Sequence, residues 1–220
     1  MTFQATIALP LTYPLSFENK EIRHVIRINA TSTEEQLIAG TLDGNEDAFR
    51  LIVERYIDEV SRTVTGMLGA GLEIDDVVQE VFIKLHRSLH TFRGESTLKT
   101  FVVRIAINKS LDALRKRKRM RWLQPWSHEE PWEPDSGERS DQGITDSEDL
   151  LILRQAVDRL PENQRAVVVL RLIDQYSTEE TARILNVPYG TVLSRLKRGV
   201  EKLKKDLRNT TGYHQTGGAS

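Results

Sequence analysis

The chain has no cysteine among its 220 residues. That absence excludes disulfides, cysteine-ligated zinc and a thiol nucleophile, and it suits a reducing, cytoplasmic setting. Lysine and arginine are missing before Lys20, and Pro10 and Pro14 interrupt the leader's only apolar stretch. The basic start and unbroken apolar run of a secretory signal are therefore not expected. No segment is long and apolar enough to cross a bilayer. Net charge is nearly absent too, at −1, yet this sum conceals regions of strongly opposed sign.

Between Lys109 and Arg121 stand Lys109, Arg115, Lys116, Arg117, Lys118, Arg119 and Arg121 against the single acid Asp112. Towards the end of the chain Arg195, Lys197, Arg198, Lys202, Lys204, Lys205 and Arg208 face only Glu201 and Asp206. From Ser127 to Asp149 the balance inverts, with Glu129, Glu130, Glu133, Asp135, Glu138, Asp141, Asp146, Glu148 and Asp149 against Arg139 alone. Two cationic segments separated by an anionic tether are what contact with a polyanion at two points requires. Each phosphate neutralised releases counterions and adds affinity that does not depend on sequence.

Hydrophobic periodicity predicts an all-α chain of two small helical domains joined by an acidic flexible linker. Residues 1–30 read as a leader without stable structure, apart from a brief alternation through Ile22, His24, Ile26 and Ile28. Ser32 with Glu35 has the spacing of a capping box, and two amphipathic helices follow, with a turn at Asp43-Gly44-Asn45. Val77, Val78, Val81, Phe82, Leu85 and Leu89 line one side of a helix over Ile74–His90. A loop containing Gly94 leads to a longer helix carrying Leu98, Phe101, Val102, Ile105, Ala106, Leu111 and Leu114. Four helices around one core, over residues 31–120, is the economical arrangement.

Residues 121–148 lose this period and gather Pro125, Pro131 and Pro134, as a linker does. Trp122, Trp126 and Trp132 within it are unusual for so polar a stretch and suggest docking on a surface. Residues 149–208 are helical again. Pro161 suits a first helical turn, and Ser177 with Glu180 makes a second capping box. Asn186-Val187-Pro188 is a tight turn before a basic helix over Tyr189–Leu207. Short helix, turn and longer basic helix form the helix-turn-helix pattern. Residues 209–220 have little to bury and read as a disordered tail.

Three segments then resemble one family, the extracytoplasmic-function (ECF) sigma factors of bacterial RNA polymerase. Asp76 to Phe82 (DVVQEVF) resembles its polymerase-binding helix. Ser96 to Arg117 (STLKTFVVRIAINKSLDALRKR) is similar to its promoter-opening helix with a basic end. Leu160 to Arg165, Ser177 to Pro188 and Gly190 to Leu196 (GTVLSRL) resemble its reader of the minus-thirty-five element. Phe101 stands where tryptophan is common in the family, and Leu193 and Lys197 replace residues that touch DNA in some relatives.

The resemblance implies a subunit that binds core RNA polymerase, directs it to promoter DNA and assists promoter opening. An anti-sigma protein is a further partner it implies. Asp76, Gln79 and Glu80 would dock on core polymerase, from the side of their helix opposite Val78, Phe82 and Leu85. Phe92, Lys99, Arg104, Asn108, Lys109 and Arg115 would meet the opened strands, with stacking on Phe92 set against its packing as a plug on the core. Thr191, Ser194, Arg195, Lys197 and Arg198 would enter the major groove, where arginine hydrogen-bonds guanine and serine or threonine reaches several bases. Val192, Leu196, Val200 and Leu203 would form the buried stripe of the same helix.

Two other readings compete. An autonomous helix-turn-helix regulator explains the last helix and leaves the segment from Asp76 to Phe82 without purpose. An enzyme would need acid-base groups or ligands, for which His24, His86, His90, His128 and His214 are available. His86 and His90 share a helix face, but the glutamate of a zinc-protease motif is missing between them. No catalytic residue, metal or cofactor is expected.

Overall fold

In the computed structural model the described residues are 28–69, 74–123 and 144–212. Every regular element among them is helical: α1 (Glu34–Leu42), α2 (Glu46–Leu68), α3 (Ile74–Ser88), α4 (Leu98–Leu123), α5 (Ile144–Asp158), α6 (Glu162–Val168), α7 (Thr178–Leu185) and α8 (Tyr189–Gly212). A 3₁₀ turn at Leu89–Thr91 ends α3 before the expected His90, and a π-helical turn at Val169–Ile173 continues α6.

Local chemistry sets the boundaries. The first capping box is formed by Thr33 and Gln36, one residue later than Ser32 and Glu35. Ser32 is instead buried and its hydroxyl accepts the Asn29 amide at 3.1 Å. Asn45 caps α2 by accepting the amides of Asp47 and Ala48. Ser177 and Glu180 make the second box as expected, and Asn186 ends α7 in the left-handed region at φ 51°. Pro161 lies one step before α6, at its N-cap, where the missing N–H costs nothing.

Helices α1–α4 enclose one core through Leu37, Ile52, Tyr56, Val60, Val81, Leu85, Leu98 and Val102. Phe101 is half-buried against it. The end of the leader is tied to the same domain: Ile28 packs on its core, and Arg55 donates to the carbonyls of Ala30 and Ser32. In the carboxy-terminal half, Ala156, Val157, Leu160, Val168 and Leu203 join α5, α6 and α8. Helix α4 runs to Leu123 and α5 starts at Ile144, so both reach into the expected linker. Helix α8 continues to Gly212, four residues past Arg208. The strand-like alternation before Ile28, Trp126, Trp132, the linker carboxylates from Glu129 to Asp141 and the tail beyond Gly212 lie outside the described residues.

A third cluster belongs to both halves. Met67 of α2 and Val103 and Ile107 of α4 pack with Ala166, Val169, Leu170, Tyr176 and Ile184. The two halves are therefore in direct apolar contact, and not merely tethered.

Candidate nucleic-acid and docking interfaces

The docking candidates lie on α3. Asp75 and Asp76 occupy its first turn, where carboxylates offset the positive end of the helix dipole. Asp76, Gln79 and Glu80 are all exposed. Gln79 does not stand opposite the apolar stripe, however. It borders a groove of about 700 Å³ between α2 and α3, whose walls include Phe49, Val53, Ile57, Val78, Phe82 and Ile83. Ile83 is 44% exposed, and Phe49 meets His86 edge to face at 4.7 Å. The surface thus combines acceptors with an apolar trough. Its signal in the sequence was the width of the apolar stripe on α2: Ile52, Tyr56, Val60 and Val64 fill the core, which leaves Phe49, Val53 and Ile57 for a second face.

The helix expected to meet opened strands is α4. The Thr97 hydroxyl starts it by accepting the Thr100 amide at 3.1 Å, while Glu34 accepts the Leu98 amide at 3.3 Å. Phe92 is half-buried with its ring 5.2 Å from that of Phe101, so here it packs as a plug on the core. Asn108 is exposed, and exposed Arg115 pairs with Asp112 at 3.1 Å. Lys109 pairs with Glu80 of α3 at 2.8 Å, which joins one expected DNA contact to one expected docking residue. Lys116, Lys118 and Arg119 are exposed, whereas Arg117 donates to the Leu68 carbonyl at the end of α2.

Lys99 and Arg104 both meet the other half of the molecule, Lys99 through the Tyr176 ring and Arg104 through a carbonyl of α7. Lys99 forms an ion pair with Glu59 at 2.9 Å, and its ammonium lies 4.9 Å from the centre of the Tyr176 ring. Arg104 donates to the Arg183 carbonyl at the end of α7 at 2.6 Å. Nearby, Asp174 accepts from the Thr63 hydroxyl at 2.7 Å and from Arg62 at 3.2 Å. Its side chain is fully enclosed. Burial raises the Asp174 carboxyl above its ordinary range, and the bonds from Thr63 and Arg62 only partly oppose that. The Tyr176 hydroxyl donates to Glu59, and burial pushes the phenol upward, with that bond adding to the shift. Arg165 reaches from α6 to the Met67 carbonyl at 2.7 Å. These joint residues carried no motif by which the sequence could have marked them.

In the helix-turn-helix, α7 precedes α8 as expected. Glu180 is held below the usual carboxylate range, first by the Ser177 backbone and then by its side chain. Val192 and Leu203 are buried while Leu196 and Val200 are half-buried, as the stripe requires. On the outer side Lys197 and Arg198 are exposed, and Thr191, Ser194 and Arg195 are partly exposed. The Ser194 hydroxyl donates to the Thr191 carbonyl at 3.1 Å. Tyr189 and Leu193 also reach solvent, at 49% and 45%, although neither was among the expected DNA contacts. Among the described residues no group of three acidic or histidine side chains is placed to hold a metal ion. No described helix is long and apolar enough to cross a membrane.

Comparison with known proteins agrees with this layout. Residues 52–120 match the family described as Sigma-70 region 2, and residues 150–203 match Sigma-70, region 4. The chain is 34% identical to the ECF RNA polymerase sigma factor SigW of Bacillus subtilis over 183 residues, covering 76% of this chain and 92% of that protein. It is 36% identical to the ECF RNA polymerase sigma-E factor of Escherichia coli K12 over 180 residues, covering 78% and 92%. Its fold is similar to that of CnrH solved with the cytosolic domain of CnrY, with TM-score 0.58, 24% identity, and 79% and 96% of the two chains covered. It is likewise similar to the sigma factor RpoE solved with the anti-sigma factor NepR from Bartonella quintana, with TM-score 0.58, 22% identity, and 73% and 96% covered.

Proposed function

The chain belongs to the ECF sigma factors of RNA polymerase, and on that footing we propose how its surfaces divide the work of initiation. As a sigma factor it binds core polymerase, directs it to promoters and assists their opening. The face of α3 with Asp76, Gln79 and Glu80 docks on core polymerase, and its apolar trough seats a partner's side chains. Helix α4 meets the opened strands through Lys99, Arg104, Asn108, Lys109 and Arg115. Helix α8 reads the upstream duplex through Thr191, Ser194, Arg195, Lys197 and Arg198. The observation that supports this division is spatial: an acidic and apolar docking face and two basic helices occupy different elements of one molecule.

The protein acts as a cytoplasmic initiation factor and not as an enzyme. An anti-sigma protein is its regulatory partner. The fold likeness to CnrH and RpoE chains solved with CnrY and NepR suits this reading, and so does an apolar trough wide enough for a partner's residues.

The decisive variant is Asp76→Ala with Gln79→Ala. Exposed substitutions shift stability by roughly half a kcal/mol or less, whereas truncation at the centre of an interface costs about 2 kcal/mol or more. Melting should stay nearly unchanged while core affinity falls at least about thirtyfold, by the same interface cost. Normal core affinity and full run-off transcription would remove α3 from the docking surface. Specific, tight promoter binding by the free chain would favour the autonomous regulator.

A further inference from the structure

We infer that Leu193 is a specificity residue of α8, which reads the C5-methyl group of one thymine in the upstream duplex. The inference deepens the reading that α8 enters the major groove, and it rests on that reading. Leu193 is 45% exposed, and a single exposed leucine is ordinary on a protein surface. Its position carries the argument. Leu193 opens the second turn of α8, next to Ser194 and one turn before Lys197, while Val192 and Leu203 turn to the interior. At 3.6 residues per turn it stands about 40° around the helix from Lys197 and about 100° from Ser194. A helix that enters the groove through Ser194 and Lys197 therefore carries Leu193 in with them.

Two neighbours suit the same use. Tyr189 precedes Leu193 by four residues and is also exposed, so this flank offers apolar surface up to the start of the helix. Gly190 lies three residues before Leu193, and a Cβ built there meets no described atom within 4 Å. Its backbone is not in the left-handed region either. Neither packing nor φ thus calls for glycine at this place, and the missing side chain lets α8 lie closer to base edges on the side of Leu193.

Chemistry then names the base. The leucine side chain neither donates nor accepts a hydrogen bond. Pressed against a polar base edge it excludes water and leaves that edge unpaired, which is unfavourable. In the major groove guanine presents N7 and O6, adenine N7 and its N6 amino group, and cytosine its N4 amino group. Thymine alone adds a methyl group. Contact between that methyl group and Leu193 removes apolar surface of both from water. Leu193 thus attracts thymine and penalises the other three bases at one position, whereas Arg195 acts through hydrogen bonds at another.

The test uses the full chain reconstituted with core polymerase and a pool of promoter duplexes randomised in the upstream element. At one position the parent should select thymine about fourfold over each other base, the effect of burying one methyl-sized group. Leu193→Ala should lose that preference and keep those at the remaining positions, which also shows that α8 is still folded and seated. Leu193→Met, apolar and of similar volume, should retain it. Replacing that thymine with uracil in the selected duplex removes only the methyl group. Uracil should weaken binding by the parent about fourfold and leave Leu193→Ala unaffected. A thymine preference intact in Leu193→Ala, or a parent indifferent to uracil, would overturn the inference. Arg195→Ala separates this failure from failure of the underlying reading. If Arg195→Ala relaxes one position and Leu193→Ala relaxes none, only the methyl contact falls; if neither relaxes any, α8 does not read the duplex.

Discussion

Gly66 is the point at which a single methyl group should tell joined halves from separated ones. It lies in α2, two residues before the helix ends, and the joint brings Val169 against it. An added Cβ would meet the two γ carbons of Val169 at 2.9 and 3.2 Å. Alanine in a helix is worth about 0.8–1 kcal/mol more than glycine, so α2 by itself should gain. Overpacking a joined core costs about 1–3 kcal/mol. In the full chain Gly66→Ala should therefore lose about 1 kcal/mol net, whereas in an opened chain it should gain nearly as much. Val169→Ala removes the colliding methyl groups at a cost of roughly 1–3 kcal/mol in lost packing. The double variant should then be more stable than the sum predicts, by about 1–2 kcal/mol, a coupling that contacting residues commonly show. Urea unfolding of the parent, both single variants and the double variant measures it. Additivity within about 0.5 kcal/mol would mean that Gly66 and Val169 do not meet in solution.

Asp174→Asn keeps one acceptor oxygen, for Arg62, turns the other position into an amide that can donate to the Thr63 hydroxyl, and removes the buried charge. A raised carboxyl stabilises the fold below the ordinary carboxyl pKa and loses that contribution as pH rises through its raised value. The variant should accordingly melt higher than the parent at neutral pH, with the difference fading towards about pH 4. A lower melting temperature at neutral pH, or a difference indifferent to pH, would contradict it. Arg195→Ala should cost roughly 1–3 kcal/mol on the preferred promoter and relax discrimination at one upstream base, while Lys204→Ala should weaken all sequences about equally. Competition between promoter variants separates these outcomes, and an unchanged preference in Arg195→Ala would remove that side chain from base reading. Neutralising Glu129, Glu130, Glu133 and Asp135 together should leave circular dichroism helical and alter abortive-product patterns and open-complex lifetimes. Unchanged patterns would reduce the tether to a spacer.

What the sequence disclosed follows the range of each interaction. Capping boxes, the turn at Asn186 and the stripes of α3, α4 and α8 depend on neighbours within four residues, so periodicity and side-chain chemistry reveal them. Even the misplaced first cap is a local error: Ser32 and Thr33 both have the right side chain, and burial of Ser32 left Thr33 to cap α1. The apolar trough was half legible, since Phe49, Val53 and Ile57 add an apolar face that one core does not need. The joint was not. Arg62 and Asp174 are 112 residues apart, and Tyr176 and Glu59 are 117 apart. In a linear reading each is an ordinary surface ion or turn residue.

Lys99 and Arg104 show why this gap bears on function. The residue types that neutralise phosphate are also those that satisfy a carboxylate or a helix-end carbonyl. A cation on α4 therefore has two classes of partner, and the sequence reports the capacity without the occupancy. Here the folded chain fills that capacity from within, through Glu59 and the Arg183 carbonyl. The acidic linker has the composition to do the same to basic surfaces. Activity then depends on exchange of acceptors: DNA must offer α4 more than the chain's own carboxylate and carbonyl already provide. Phosphate contacts weaken steeply with salt, whereas the apolar part of the joint does not rely on charge. Rising salt should thus weaken strand capture while leaving the apolar joint intact, and at every salt the parent should form less open complex than an Arg62→Ala, Thr63→Val chain, with parallel salt slopes set by the phosphate contacts. Equal open-complex yields across a potassium chloride series would show that the joint and strand capture do not compete.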